Sequence, residues 1–216
     1  MKALIFDTET TGLLPRNIEL TQKNIDMFPN IVQFSWIIYD SKTNTISKIN
    51  DHIIKLDKVI PEETIKIHGI TNEKMKKEGI DIEIVLNLFT KDMLDSNILV
   101  AHNLNFDKSM IAIEYLRNNK INWIGRHRKI EYCTMKRSLN MCNIYKRNEY
   151  TGERSKKFPK LMELHYYWFK TIPNNLHNSL IDVYVCFRCY YQMEYKSDIL
   201  EKHNELNNYY KEICAL

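Results

Sequence analysis

The chain has 216 residues, long enough to bury a core of its own, and it lacks a Pro-, Gly- or Ser-rich linker that would split it, so it is expected to form one domain over 1–216. A formal net charge of +4 permits an acidic partner without demanding one. No stretch is long enough to span a membrane and no apolar signal region precedes the first strand, so a soluble intracellular protein with no membrane partner is expected. Five cysteines, Cys133, Cys142, Cys186, Cys189 and Cys214, are an odd number without a framework pattern and read as reduced thiols.

Lys2 to Phe6 reads as a short buried strand that stops at Asp7 and Glu9, with Thr10 to Leu13 as a turn. Pro15 to Pro29 is polar and carries no firm structure. Ile31 to Tyr39 and Thr45 to Leu56 are strands joined by the turn at Ser41 to Asn44, which with the first strand suggests an antiparallel meander. Pro61 opens a segment through Ile67 and His68, after which Asn72 is expected to cap a helical turn. The spacing of Ile80, Ile84, Val85, Leu88 and Phe89 predicts an amphipathic helix over 80–94. Ile98 to Ala101 is a brief strand ending at His102 and Asn103. Asn105 is expected to cap the next helix, which places Asp107 in its first turn. Lys129 to Cys133 reads as a fifth strand and Thr134 to Asn143 as a helix. The polar, basic stretch from Ile144 to Lys160 reads as a mobile loop. Pro159 to Phe169 resembles a helix, and a polar C-terminal helix covers about 197–213, after a core of about 1–195.

Between these last two lies a run, Leu176 to Tyr191, that is apolar almost all round and so reads as a buried helix. Its Cys186 and Cys189 form a C-x-x-C that lacks a second ligand pair and reads as core. Asp182 sits inside this run. A buried carboxylate costs several kcal/mol unless it is paired, protonated or bound to a metal. Nearby basic groups are His177 and Arg188, and the natural partners are Asp7 and Glu9 at the other end of the chain. Alternation of strands and helices also brings Asp107 to a strand end, where open α/β sheets collect their active sites.

Four carboxylates meeting at one point repel one another, and hard divalent cations are the simplest compensation. Oxygen ligands favour magnesium or manganese. Two such ions about 4 Å apart activate a water on one side of a phosphodiester and stabilise the leaving oxygen on the other. His177, five residues before Asp182, is a candidate general base. His102 reads as a packing or capping histidine.

The motifs resemble those of the DEDD exonucleases, in the histidine subclass of DnaQ-like 3′-5′ exonucleases. Asp7, Thr8, Glu9, Thr10, Thr11, Gly12 and Leu13 match the first motif, His102, Asn103, Phe106 and Asp107 the second, and His177 with Asp182 the third. The stretch Ile67 to Thr71 looks like the family's segment between the first two. The resemblance implies an α/β, ribonuclease-H-like fold, a five-stranded mixed sheet flanked by helices. It implies that Asp7, Glu9, Asp107 and Asp182 hold two Mg²⁺ or Mn²⁺ ions, with Asp7 bridging, and that His177 deprotonates the attacking water. It makes Thr10, Leu13, Ile67, His68, Asn103 and Phe106 candidate substrate contacts, Leu13 as an apolar wedge. The family's third motif has Ala where this chain has Ser179.

The expected activity is removal of nucleoside 5′-monophosphates from a nucleic-acid 3′ end, with single-stranded or frayed DNA favoured. An exoribonuclease acting on short RNA, a non-catalytic nucleic-acid-binding or polymerase-associated module and an endonuclease on the same fold are the alternatives. A polymerase partner or a homodimer is compatible with the sequence. The basic run from Arg117 to Arg137, interleaved with Trp123 and Tyr132, is read as contacting the nucleic-acid backbone.

Overall fold

A computed structural model describes residues 1–214. The reading of the Cys214 thiol lies outside the described side chains. Three strands form the expected meander: β1 (Lys2–Thr10), β2 (Ile31–Asp40) and β3 (Thr45–Ile53), antiparallel throughout. Two further strands, β4 (Ile98–Ala101) and β5 (Ile130–Cys133), add in parallel to give a mixed sheet of order β3-β2-β1-β4-β5. β2 is rich in β-branched and aromatic residues and nine of its ten residues are buried, which makes it an interior strand.

The helices are α1 (Glu62–His68), α2 (Asn72–Glu78), α3 (Ile82–Asp95), α4 (Leu104–Arg117), α5 (Trp123–Arg126), α6 (Thr134–Arg137), α7 (Leu139–Cys142), α8 (Leu161–Phe169), α9 (Ser179–Tyr195) and α10 (Asn204–Cys214). They cover both faces of the sheet. On one face Leu4, Phe6, Phe34 and Trp36 pack against Val85 and Phe89 of α3 and Met110 and Ile111 of α4. On the other, Ala3, Ile5, Ile37 and Val100 meet Val183, Phe187 and Tyr190 of α9. This division follows the strand period of two: Leu4 and Phe6 point one way, Ala3 and Ile5 the other.

Several sequence expectations are corrected. β1 does not stop at Phe6, because β2 continues to pair with it as far as Thr10, with a register shift between Glu9 and Thr10. Asp7 and Glu9 therefore lie within the strand. In α3 the buried residues are Val85, Leu86, Phe89, Asp92 and Met93, while Ile84 and Leu88 are exposed. Asp92 is buried because it accepts from Trp36 Nε1 (3.0 Å) and pairs with Lys48. Thr71, not Asn72, caps α2, and Asn72 instead bonds the main chain of Ile60. Asn105 does not cap α4; Asn103 occupies that position in a left-handed conformation, φ 69°. The helix expected over 134–143 is broken into α6 and α7 at Ser138.

The stretch 144–160 forms a hairpin of β6 (Tyr145–Arg147) and β7 (Arg154–Lys156), closed by the Lys157 N–H donating to the Ile144 carbonyl at 3.0 Å. The excursion 15–29 is held at its base, where Thr11 and Asn30 bond each other through Thr11 N–H to the Asn30 carbonyl and Asn30 N–H to Thr11 Oγ1, both 2.9 Å. Arg117 binds the carbonyls of Ile25, Phe28 and Pro29 (3.0–3.2 Å) and pairs with Glu114.

That removes Arg117 from the expected nucleic-acid face. Lys120 pairs with Glu83, Lys129 donates to the Leu94 carbonyl, and Arg137 lies 4.0 Å over the Tyr132 ring. Three cations of the basic run, Arg117, Lys120 and Lys129, are thus engaged by local acceptors. Among the described residues no helix is long and apolar enough to cross a membrane, and Cys133, Cys142, Cys186 and Cys189 are free thiols.

Candidate active site

β1 is longer than its parallel neighbour. Its pairing with β4 covers Ala3 to Ile5 only, so beyond that point its β4-facing edge is open while β2 still holds the other. This overhang carries Asp7, Thr8 and Glu9. Asp7 and Glu9 share the face of Ala3 and Ile5, the face covered by α9, and Thr8 turns toward α4.

The open edge is filled from α4. The Thr8 N–H donates to Asp107 Oδ1 at 3.1 Å and the Thr8 hydroxyl to the same oxygen at 2.9 Å. Asp107 thus takes the donor that a longer β4 would have used, and it is buried, 2% exposed. From the opposite layer, α9 brings Asp182 in its first turn. Asn178 caps this helix by accepting from the N–H groups of Leu180 and Ile181, and the Ser179 hydroxyl donates to the Asp7 carbonyl at 2.7 Å. The Ser179 N–H donates to Gln33 Oε1 on β2 at 3.2 Å. The start of α9 is therefore fastened to both central strands.

His177 is not on the helix, contrary to the reading of Leu176 to Tyr191 as helical; α9 begins at Ser179. It precedes the cap in a left-handed conformation, φ 71°, an uncommon backbone state for a non-glycine residue. Its main-chain N–H donates to Asp182 Oδ2 at 3.3 Å, and its ring joins Glu9 and Asp182 in a group whose ligand atoms all lie within 4.8 Å of one another. Arg188, the other base considered for Asp182, is taken by Asp198, with Nη2 to Oδ2 at 2.5 Å.

The electrostatics follow from this crowding. Burial pushes the Asp7 carboxyl up to about 7. Burial, then repulsion by Asp7, Asp182 and Asp107, pushes Glu9 up to about 10. Asp107 and Asp182 are raised well above the usual carboxylate range by burial and by Asp7. Asp7 Oδ2 and Asp182 Oδ1 are buried with no hydrogen-bond partner. Four acids crowded together, two of them with orphaned buried oxygens and none paired with Lys or Arg, fit a divalent cation bound through oxygen.

The remaining candidates separate. His68 is buried; its Nδ1 accepts from the Ile70 N–H at 3.1 Å, its Nε2 has no partner, and burial, then the nearby His177, lowers its basicity. Leu13 and Ile67 face solvent, 86% and 55% exposed. The Thr10 hydroxyl is turned into its own loop, donating to the Gly12 carbonyl, and Phe106 packs against the core. Asn103 makes no side-chain capping bond. His102 is a packing residue: it bonds Thr134 Oγ1 (2.9 Å) and the Pro159 carbonyl (3.0 Å), and burial lowers it to about 4. Sequence reasoning missed Thr8, Ser179 and Gln33 as supports for the acids. Ser179 was visible as the departure from Ala, but its bond to the strand was not.

An α/β sheet of this order, with acids from β1, α4 and α9 at one end, defines the ribonuclease-H-like exonuclease class. The RNase T exonuclease family profile matches residues 4–190, and the chain belongs to that family. It is 30% identical over 184 residues to the DNA polymerase III PolC-type of Ureaplasma parvum, covering 82% of this chain and 12% of that one. It is 28% identical over 141 residues to the DNA polymerase III subunit epsilon of Rickettsia typhi, 64% of this chain and 56% of that one. The chain thus spans less than two thirds of these relatives. Among solved structures, Escherichia coli exonuclease I in complex with a dT13 oligonucleotide superposes with a TM-score of 0.64 at 18% identity, over 90% of this chain and 42% of that one. Exonuclease X in complex with 5′ overhanging duplex DNA gives 0.55 at 20%, over 94% and 93%. At these identities the likeness is one of fold.

Proposed function

We propose that the chain removes nucleoside 5′-monophosphates from the 3′ end of single-stranded or frayed DNA by metal-dependent hydrolysis. The observation that carries this is the cluster of Glu9, His177 and Asp182, with Asp7 and Asp107 close enough to repel Glu9 and with Asp7 Oδ2 and Asp182 Oδ1 buried and unpartnered. Asp7, Glu9, Asp107 and Asp182 would hold two divalent cations, magnesium or manganese. When bound, such ions lower the pKa of a water and neutralise charge on the leaving oxygen.

The chain's own groups do the rest. His177 accepts the proton of the attacking water at a ring nitrogen, which its left-handed loop and the bond to Asp182 aim at the acids. Thr8 fixes the rotamer of Asp107, and Ser179 and Gln33 anchor the start of α9. Leu13 and Ile67 offer exposed apolar surface on which the terminal base stacks, Leu13 as the wedge, and His68 is assigned to the same pocket. Thr10, Asn103 and Phe106 act by shaping the loops around that pocket.

DNA is preferred to RNA because the relatives above are DNA polymerase III components and the superposed structures hold DNA. The same relatives make a polymerase the favoured partner. We assign one domain to 1–216, with a core of about 1–195; the C-terminal helix expected over about 197–213 is shortened to α10 after a single 3-10 turn at Ile199–Glu201, and the Tyr210 hydroxyl bonding His165 Nε2 at 2.9 Å ties it to the core. The test is degradation of matched 5′-labelled single-stranded DNA and RNA oligonucleotides in magnesium, manganese and chelator. A metal-dependent ladder shortening from the 3′ end, faster on DNA, is expected. Faster RNA cleavage would reassign the substrate, and no cleavage would overturn the reading in favour of a binding module.

A further inference from the structure

The hairpin β6–β7 and α8 form a surface that the site described above does not use. Between Ile144 and Lys160 there are six Lys and Arg against two Glu, an excess equal to the chain's whole formal net charge of +4, so the other residues are balanced as a set. Among the described residues only Lys157 of these six is in an ion pair, with Glu163 at 2.6 Å. The same surface is aromatic. Tyr150 at the hairpin tip is 99% exposed, and Tyr145, Phe158, Tyr166 and Tyr167 are also exposed.

Cations and rings are interleaved rather than segregated. The Arg154 guanidinium lies 5.2 Å from the Tyr145 ring centre, and Lys170 Nζ lies 5.8 and 5.5 Å from those of Tyr166 and Tyr167. A groove of about 390 Å³ runs between α7, the hairpin base and α8, with Cys142, Ile144, Met162 and Ile172 as its apolar lining and Lys170 and Glu163 among its polar groups. Solvent-exposed tyrosines beside unpaired cations are costly as plain surface, since they keep apolar rings in water. They suit a flexible polyanion carrying flat apolar groups, because bases stack on rings while phosphates meet Lys and Arg.

The chain leads from this surface to site residues on either side. The Pro159 carbonyl, at the exit of the hairpin, accepts from His102, which follows β4 and precedes Asp107 by five residues. Lys170, at the end of α8, precedes His177 by seven residues. Resting on the exonuclease reading, we propose that hairpin β6–β7 and α8 carry the single strand upstream of the 3′ end, seating its bases on Tyr150, Tyr166 and Tyr167 and its phosphates on the hairpin cations. Double-stranded nucleic acid fits less well, since its bases are already stacked and its rings are not offered to the tyrosines.

The experiment compares the full chain with two variants, Arg147→Glu with Arg154→Glu and Lys156→Glu, and Tyr150→Ala with Tyr166→Ala and Tyr167→Ala. Fluorescence anisotropy with 5′-labelled dT20 in chelator reads binding without turnover, and kcat/KM in magnesium is measured on dT20 and on the dinucleotide dTdT. Each variant is expected to weaken dT20 binding at least tenfold and to lower the dT20-to-dTdT ratio of kcat/KM by a similar factor. The charge variant should also flatten the dependence of log Kd on log salt by about 2, the change for three phosphate contacts on a single strand. Variants that bind and discriminate within twofold of wild type overturn the proposal, as does wild-type protein that binds duplex as tightly as dT20. Wild-type protein that binds dT20 at this surface but cleaves neither substrate counts against the exonuclease reading and leaves the surface standing.

Discussion

Thr8 binds Asp107 twice, through its main-chain N–H at 3.1 Å and its hydroxyl at 2.9 Å, and both bonds go to the same carboxylate oxygen. The main-chain bond exists because β4 is short; the hydroxyl bond requires Thr or Ser. Thr8→Val keeps shape and strand preference and removes only the second bond. It should leave the fold intact, weaken the half-saturating magnesium concentration and lower kcat by roughly ten- to a hundredfold, the usual range for groups that orient a metal ligand. Steady-state kinetics over a magnesium series reads both quantities.

Ser179 ties α9 to β1 through the Asp7 carbonyl, and its hydroxyl is buried. Ser179→Ala removes one donor without leaving a large void. The expected cost is about 1 kcal/mol of stability, with activity retained within a few-fold because Asn178 and Gln33 still hold the start of α9. Denaturant unfolding and an activity assay on the same preparation distinguish this from a catalytic role.

Arg117 serves the fold and not the nucleic acid. It holds three carbonyls at the end of the 15–29 excursion and pairs with the buried Glu114, so Arg117→Ala leaves a buried carboxylate without its partner. A loss of about 3 kcal/mol is expected. The KM for DNA should stay within twofold of wild type at a temperature where the variant is folded.

The pH dependence of the metal-free protein follows from the raised acids. Asp7 goes from an ordinary value of 3.8 to about 7 and Glu9 from 4.5 to about 10, so the folded state binds their protons more tightly than the unfolded chain. Their stabilising contribution is fully present below the ordinary values and is lost as pH rises through 7 and beyond. His102 acts in the opposite sense: held at about 4 by burial, it contributes fully above its ordinary 6.5 and loses that contribution as pH falls toward 4. The rise in melting temperature on adding magnesium, which isolates the acids, should therefore be small at pH 5 and grow toward pH 8.

The acids were legible in the sequence because Asp182 sits in an apolar run and Asp7 ends another, contrasts that local composition reveals. The meander was legible for the same reason. What was not legible depends on distant pairing. Apolar residues stop at Phe6, but β1 continues to Thr10 because β2 pairs with it, so the acids lie within a strand. His177 was read onto the helix because the apolar run begins at Leu176, whereas Asn178 caps the helix and leaves His177 in the loop. Hairpin β6–β7 was read as mobile because its residues are polar; its turn, from Asn148 to Gly152, carries a signal that charge obscured. The interior roles of Arg117 and Thr8 depend on carbonyls and carboxylates about a hundred residues away, which no local pattern encodes.

Asp7, Glu9, Asp107 and Asp182 are held together at a cost which a divalent cation would remove. The most direct measurement is thermal unfolding of wild type and Asp182→Asn at pH 8, in chelator and across a magnesium titration. Wild type should be stabilised progressively by magnesium. Asp182→Asn, with one fewer buried charge, should melt higher than wild type in chelator, respond little to magnesium and show no turnover. A wild type that is indifferent to magnesium and manganese, or an Asp182→Asn variant that keeps both the metal response and the activity, would contradict the account.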